Sequence, residues 1–324
     1  LGLSSEEIQE IIFRSNGKIK YCMPPEDGPH EGTWLQWPHN FGYDRKHRER
    51  LESSWISMAQ SLCEGENVHI IAYNEDERNR IKGLLETRCA AMGRIDFYTW
   101  PTDDIWVRDN GPIFVQDMES RKPVILDWEF NGWGNKADYK LCNCIPGLVG
   151  DALGIESIKI DTMVNEGGSF EVDGRGTFLA KKSSILNRNR NPGMTQAQAE
   201  AFFTYFLGVK NFIWLDGSKR SDITDDHIDG TARFAHGDTI VTMRRADFIK
   251  PKEYDILANA RDANRERYKI VELPLTTKKI RGMGDYGIYT NYYVANNVVL
   301  IPSYNDPNDA RAVNILRDLY PTKS

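Results

Sequence analysis

Apolar residues along this chain recur in two periods, one helical and one extended, that alternate from one end to the other. Ser4 or Ser5 followed by two glutamates opens a short amphipathic helix that ends near the turn signal Asn16-Gly17. Leu51, Trp55, Met58 and Leu62 then place one apolar stripe on a helix expected over 46–63. The run VHIIAY (68–73) predicts a strand, and the charged stretch 75–88 a second helix. Thr195 and Gln198 have capping-box spacing ahead of a helix carrying Ala201, Phe202, Tyr205 and Phe206. Asp306 as N-cap with Pro307 at the first helical position opens the last predicted helix. No Pro/Ser-rich or low-complexity tract interrupts this alternation. The pattern therefore predicts an α/β fold in a single domain over 1–324, with residues 1–20 as an N-terminal helical extension.

Aligning the polar clusters that precede short apolar strands brings out a repeat. The clusters are DDIWVRDNGPIFV (103–115), NEGGSFEVDGRGTFLA (165–180), DDHIDGTARFAHGDTIVTM (225–243) and YTNYYVANNVVLIP (289–302). Their markers Asp109, Glu166, His227 and Asn291 are separated by 57, 61 and 64 residues. An earlier unit, EGTWLQWPHN (31–40), lies 72 residues before Asp109 when Trp37 marks it. Each unit places polar residues at a turn, then a strand, then a helix. A ring of such units would aim its polar clusters at a common axis and build one site from distant sequence.

Charge and composition narrow the partners. Net charge is -6 and the pI is about 5.6, which argues against nucleic acid, whose phosphates require a basic face. A small cationic substrate is compatible. No run approaches the roughly 18 apolar residues of a membrane span, and no signal peptide is visible, so a cytoplasmic location is expected. The cysteines Cys22, Cys63, Cys89, Cys142 and Cys144 lack metal-finger spacing and are expected to be reduced thiols.

The candidate chemistry sits in the repeated turns. Asp109, Glu166 and Asp229 with His227 form an acidic set suited to a cation or a metal, and two carboxylates can grip a planar guanidinium from different edges. His227 and Asp229, at i and i+2, point the same way in an extended segment, where the histidine can pass protons to a leaving amine. Each residue alone has a plainer explanation. Asp109 can pair with Arg108, Glu166 can be a solvated turn glutamate, His227 and Asp229 can be a surface pair, and Asn291 a strand residue. Trp106 and Trp133 are core aromatics by default. Recurrence at a common spacing is what sets the group apart.

The segments PPEDGPHEGTWLQWPHN (24–40), DDIWVRDNGPIFV, FNGWGNK (130–136), NEGGSFEVDGRGT, NRNRNPGMT (187–195) and DDHIDGTARF resemble, in order, the signatures of agmatine deiminases and of the wider bacterial peptidylarginine deiminase-type family. The resemblance implies the pentein fold, a five-bladed α/β propeller with pseudo-fivefold symmetry whose final blade is incomplete here. It implies hydrolysis of agmatine to N-carbamoylputrescine and ammonia through a cysteine thiouronium intermediate, with no metal and no organic cofactor. Asp109 and Asp229 would hold the guanidinium, His227 would be the general acid/base, and Glu166 would orient it or bind at the edge. Trp106 would line the alkyl arm, and Asn291 joins the substrate-binding set. The family is often dimeric or larger. Its nucleophile lies in a Gly-Gly-x-x-His-Cys context, which is absent here, and no cysteine follows Cys144. Continuing the period by about 60 residues from Asn291 places that cysteine beyond Ser324. Lys136 and Lys140, close behind FNGWG, keep open a peptidyl or free arginine substrate, whose carboxylate needs a cationic pair. A non-catalytic guanidine-binding protein is the further alternative.

Overall fold

Short strands need partners to bury their apolar faces, and here each finds them in one small sheet backed by a helix. The computed structural model describes residues 6, 10, 18–89, 91–282 and 284–324. Of the helix expected between Ser4 and Gly17, Glu6 and Glu10 are described and are helical, and the rest lies outside the described residues. Gly32–Gln36, Asn67–Ala72 and Ile95–Thr99 form a parallel sheet, with the helices Arg45–Leu62 and Glu75–Glu86 as crossovers. Asp44 and Asn74 cap these helices through their side chains.

A second arrangement then recurs. Ile113–Asp117 pairs antiparallel with Pro123–Glu129, the helix Ile145–Leu153 follows, and Ser157–Val164 returns parallel to the second strand. The same order holds for Phe170–Val172, Thr177–Lys181, the helix Gln196–Leu207 and Asn211–Leu215. It holds again for Ala232–Ala235, Thr239–Met243, the helix Pro251–Ala258 and Lys269–Leu273. Tyr293–Val294 pairs with Val299–Leu300, and the helix Pro307–Leu319 follows. There the Ser324 amide donates to the Asn297 carbonyl at 2.8 Å, and its own carbonyl accepts from Val299 at 3.0 Å, the bonding of a parallel bridge. The sequence repeat therefore corresponds to a polar turn, a hairpin, a helix and a parallel return. Among the described residues the strands form six separate sheets, none closed on itself.

Cores lie between each sheet and its helix. Phe178 packs on Phe203 and Phe170, with ring centroids 4.4 and 5.7 Å away, joining the second hairpin to the helix whose Thr195–Gln198 capping box is present as expected. Asp306 and Pro307 also occupy their predicted positions. The helix Arg45–Leu62 departs from expectation in its buried face. Arg48, Glu52, Ala59 and Leu62 are buried, whereas Leu51, Trp55 and Met58 are half-buried. Polar bonding turns this face: Glu52 accepts from Trp37 Nε1 and from Arg80, each at 2.7 Å, while Trp55 Nε1 donates to the Gln36 carbonyl. Among the described residues, no helix is long and apolar enough to cross a membrane.

Candidate active site

The turns before the first three hairpins each supply one part of the candidate site. Val107–Asn110 makes a single helical turn that ends at Gly111, where a Cβ would lie 2.3 Å from the Val107 carbonyl. Asn110 anchors this turn by donating to Gln36 Oε1 at 2.7 Å and to the Cys142 carbonyl at 3.2 Å. The neighbouring Asp109 carboxylate accepts the Trp133 indole N–H at 2.8 Å and the Gly168 amide at 3.1 Å. In the next unit, Ser169 closes the Glu166-Gly-Gly turn by donating its amide and hydroxyl to the Glu166 carbonyl. In the third, the Asp229 amide donates to the Gly168 carbonyl at 3.3 Å.

Gly168 marks the convergence. A Cβ there would stand 2.6 Å from Asp229 Oδ2, 2.6 Å from His227 Nδ1 and 2.7 Å from Asp109 Oδ1. Any side chain at 168 would occupy the point that these three polar atoms surround. His227 Nδ1 lies 3.6 Å from Asp109 Oδ1, and its Nε2 lies 2.6 Å from Glu166 Oε2. With Glu166 ionised, Nε2 carries the hydrogen of that bond, and Nδ1 is the nitrogen facing the cluster.

Trp106, at the start of the first turn, is half exposed, and its carbonyl accepts from the Asp109 amide. Asn291 is exposed, and among the described residues no hydrogen bond joins it to the cluster. Its neighbour Thr290 bonds the Gly230 carbonyl at 2.8 Å, so the fourth unit abuts the His227–Asp229 turn.

Three members of the arrangement were absent from the sequence expectation. Arg190 is buried and donates Nε to Glu166 Oε1 at 2.5 Å, Nη2 to Oε2 at 3.2 Å and Nη1 to Asp225 Oδ2 at 2.7 Å. Asp225 is thus the second carboxylate on that guanidinium. Trp133 is buried as a core aromatic would be, but its N–H serves Asp109. A signal for Arg190 existed: a buried histidine among three carboxylates needs a compensating cation, and NRNRNPGMT offers arginines in a turn-rich segment.

Electrostatics follow from this crowding. Burial, with Asp229 and Glu166 nearby, pushes Asp109 up to about 6 against the opposing pull of His227. Burial also works against charge on His227, but Asp109 and the Glu166 bond outweigh it and raise the imidazole to about 9. Although burial penalises its charge, Glu166 is held below the usual carboxylate range by His227 and Arg190. The site therefore holds an imidazolium supported by carboxylates that have few other cations to face. Glu166 has both oxygens engaged, and among the described residues no group of three or more His, Cys, Asp or Glu could hold a metal ion.

None of the five cysteines is disulfide-bonded. Cys142 lies buried beside the Asp104 amide, and burial pushes its thiol up to about 11, away from thiolate chemistry near neutral pH. Lys136 Nζ contacts Asp225 Oδ2 at 2.6 Å and the Ile223 carbonyl at 2.9 Å, so its charge is already matched; Lys140 is exposed.

Comparison with known proteins shows the family. The family model described as Porphyromonas-type peptidyl-arginine deiminase matches residues 22–324. The agmatine deiminase of Stutzerimonas stutzeri is 29% identical over 332 residues, covering 93% of this chain and 88% of that protein. The structure of C. jejuni agmatine deiminase with a cysteine-to-serine substitution and substrate bound superposes with a TM-score of 0.82 at 25% identity, covering 94% of this chain and 89% of that one. Agmatine deiminase of Enterococcus faecalis, at 23% identity and a TM-score of 0.83 over 94% of this chain and 89% of that one, shares the fold.

Proposed function

Because this chain belongs to the Porphyromonas-type peptidyl-arginine deiminase family, we propose that it is an agmatine deiminase, hydrolysing agmatine's guanidinium to N-carbamoylputrescine and ammonia. The observation that carries this reading is the convergence of Asp109, His227 and Asp229 on the Gly168 backbone. Two carboxylates there can bind a planar cation edge-on, with the imidazole Nδ1 beside the nitrogen that must leave. The matched charge of Lys136 favours agmatine over a substrate bearing a carboxylate.

In the proposed reaction a cysteine thiolate, supplied C-terminal to Ser324, adds to the guanidinium carbon. The C–N bond to one terminal nitrogen breaks as His227 gives it a proton, and ammonia leaves a thiouronium. His227 then takes a proton from water, whose oxygen attacks that carbon. The carbon–sulfur bond breaks and returns the thiolate while the added hydroxyl loses its remaining proton to solvent, leaving N-carbamoylputrescine. Asp109 and Asp229 hold the cation, Glu166 fixes the imidazole, Trp106 walls the alkyl arm, and Asn291 borders the pocket.

We also read the recurring hairpin, helix and return as blades of one pentein propeller forming a single domain, whose pseudo-fivefold axis passes through the polar turns. Support comes from the four repeats of this order and the parallel sheet that precedes them. The test pairs calorimetry of agmatine, arginine and a peptide ending in arginine with ammonia release by the complete gene product. Preferential agmatine binding and turnover are expected, with turnover lost when the cysteine beyond Ser324 is replaced. Preference for either arginine ligand, or a gene lacking that cysteine, would refute the assignment.

A further inference from the structure

Behind the imidazole, alternating charges run outward in a line. His227 Nε2 meets Glu166 at 2.6 Å, Glu166 meets Arg190 at 2.5 Å, Arg190 meets Asp225 at 2.7 Å, and Asp225 meets Lys136 at 2.6 Å. Lys136 stands partly in solvent, whereas Arg190 and Asp225 side chains are about 1% exposed. Asp225 accepts further bonds from Asn189 Nδ2 at 3.0 Å and the Arg220 amide at 2.7 Å. None of its hydrogen bonds goes to His227, two residues along the chain.

Two strained loops close on this carboxylate. Trp133 and Asn135 adopt φ of 55° and 61° beside the left-handed Gly132 and Gly134, and Asp225 and Asp226 adopt 63° and 75°. Left-handed non-glycine residues cost on the order of 1–3 kcal/mol each, so surrounding contacts must hold them. The contacts are shared. Lys136, at the end of the first loop, bonds Asp225 in the second, and a Cβ on Gly134 would lie 2.7 Å from Arg190 Nη1. The first loop also delivers the Trp133 N–H to Asp109, so the two loops brace opposite sides of the cluster.

We propose that Asp225 is a positioning residue that sets the aim and acid strength of His227 through Arg190 and Glu166. Arg190 divides its guanidinium between two carboxylates. Without the Asp225 charge it would neutralise Glu166 more fully, and Glu166 would support the imidazolium less. The charged groups facing His227 directly are Asp109 from the first turn, Glu166 from the second and Asp229 from its own turn. Among Asp225's hydrogen-bond partners, Arg190 is the one that reaches this set through its own bonds. The proposal rests on the deiminase reading only for the use made of the proton on His227.

The test is an NMR titration of histidine Cε1 in the intact protein, with the His227 resonance identified by its loss in His227→Ala. Asp225→Asn should lower the His227 midpoint by about one pH unit, and Lys136→Met should raise it. Asp225→Glu should restore most of the wild-type value, and an Arg190→Gln background should remove most of the Asp225→Asn effect. A purely structural role would lower Tm and leave the midpoint of the folded protein in place. Unchanged midpoints, or shifts of the same sign in both charge variants, would overturn the proposal. If Asp225→Asn does not fold, Lys136→Met decides alone: an upward shift supports the relay and no shift overturns it. Calorimetry of wild-type protein with agmatine separates the two claims, because lack of binding would defeat the deiminase reading without altering the titration.

Discussion

Agmatine binding should weaken in acid through one identifiable group. Asp109 must be ionised to hold a guanidinium, and burial with two neighbouring carboxylates pushes it up to about 6. Agmatine stays cationic across the range, Glu166 is held lower, and His227 at about 9 remains protonated below pH 7. Between pH 7 and pH 5 the ionised fraction of Asp109 then falls roughly tenfold, equivalent to about 1.4 kcal/mol of binding free energy. The matching assay is isothermal calorimetry in buffers of different ionisation enthalpy, which reports affinity and protons released together. Near pH 6 about half a proton should leave per agmatine bound. Asp109→Asn keeps the shape without the charge, so it should weaken binding at pH 7 by roughly 2 kcal/mol, about thirtyfold, and abolish the acid limb. A wild-type affinity that stays level from pH 7 to pH 5, or an Asn variant that keeps the limb, would refute the assignment of Asp109.

Other consequences are more direct. Gly168→Ala puts a methyl among three polar atoms; agmatine binding should fall beyond calorimetric detection while circular dichroism remains native. Trp133→Phe removes one N–H from Asp109, so binding at pH 7 should drop by about 1 kcal/mol, and the acid limb should move to higher pH. Arg190→Met leaves Glu166 and Asp225 without their shared cation, and urea unfolding should show a loss on the order of 3–5 kcal/mol. The raised pKa of His227 makes its charge a stabilising feature, fully present below 6.5 and lost as pH rises through about 9. The Tm of unliganded protein should therefore decline between pH 7 and 9, and His227→Ala should flatten that decline.

The strand periods, two helix caps and spaced polar turns were legible in sequence because each is a local feature. Asp109, Glu166 and His227 were singled out through the same regularity: each precedes a hairpin by a few residues, so an architectural period became a list of candidate site residues. Arg190 and Trp133 escaped because they lie between the markers, in connections that return to the site from the far side. Hydrophobic pattern also misjudged the helix Arg45–Leu62. Trp55 counted as apolar although its N–H is tied to a carbonyl, and Glu52 counted as exposed although Trp37 and Arg80 bind it. Pattern reading treats each side chain by type, whereas burial here depends on whether a polar atom finds its partner.

On the proposed reaction, the charge arrangement lets one histidine be protonated at rest and still give that proton away. In the unliganded site its basicity comes from Asp109 and Glu166, set against the cost of burial. A guanidinium held by Asp109 and Asp229 takes over the field of those two carboxylates. The imidazolium then faces an added positive charge, and its pKa must fall by the same free energy that its charge subtracts from binding. Glu166 is spared this loss, because Arg190 and the Gly-Gly turn keep it on the far nitrogen. Binding therefore strengthens His227 as an acid at Nδ1, toward the cluster, while leaving its orientation fixed at Nε2.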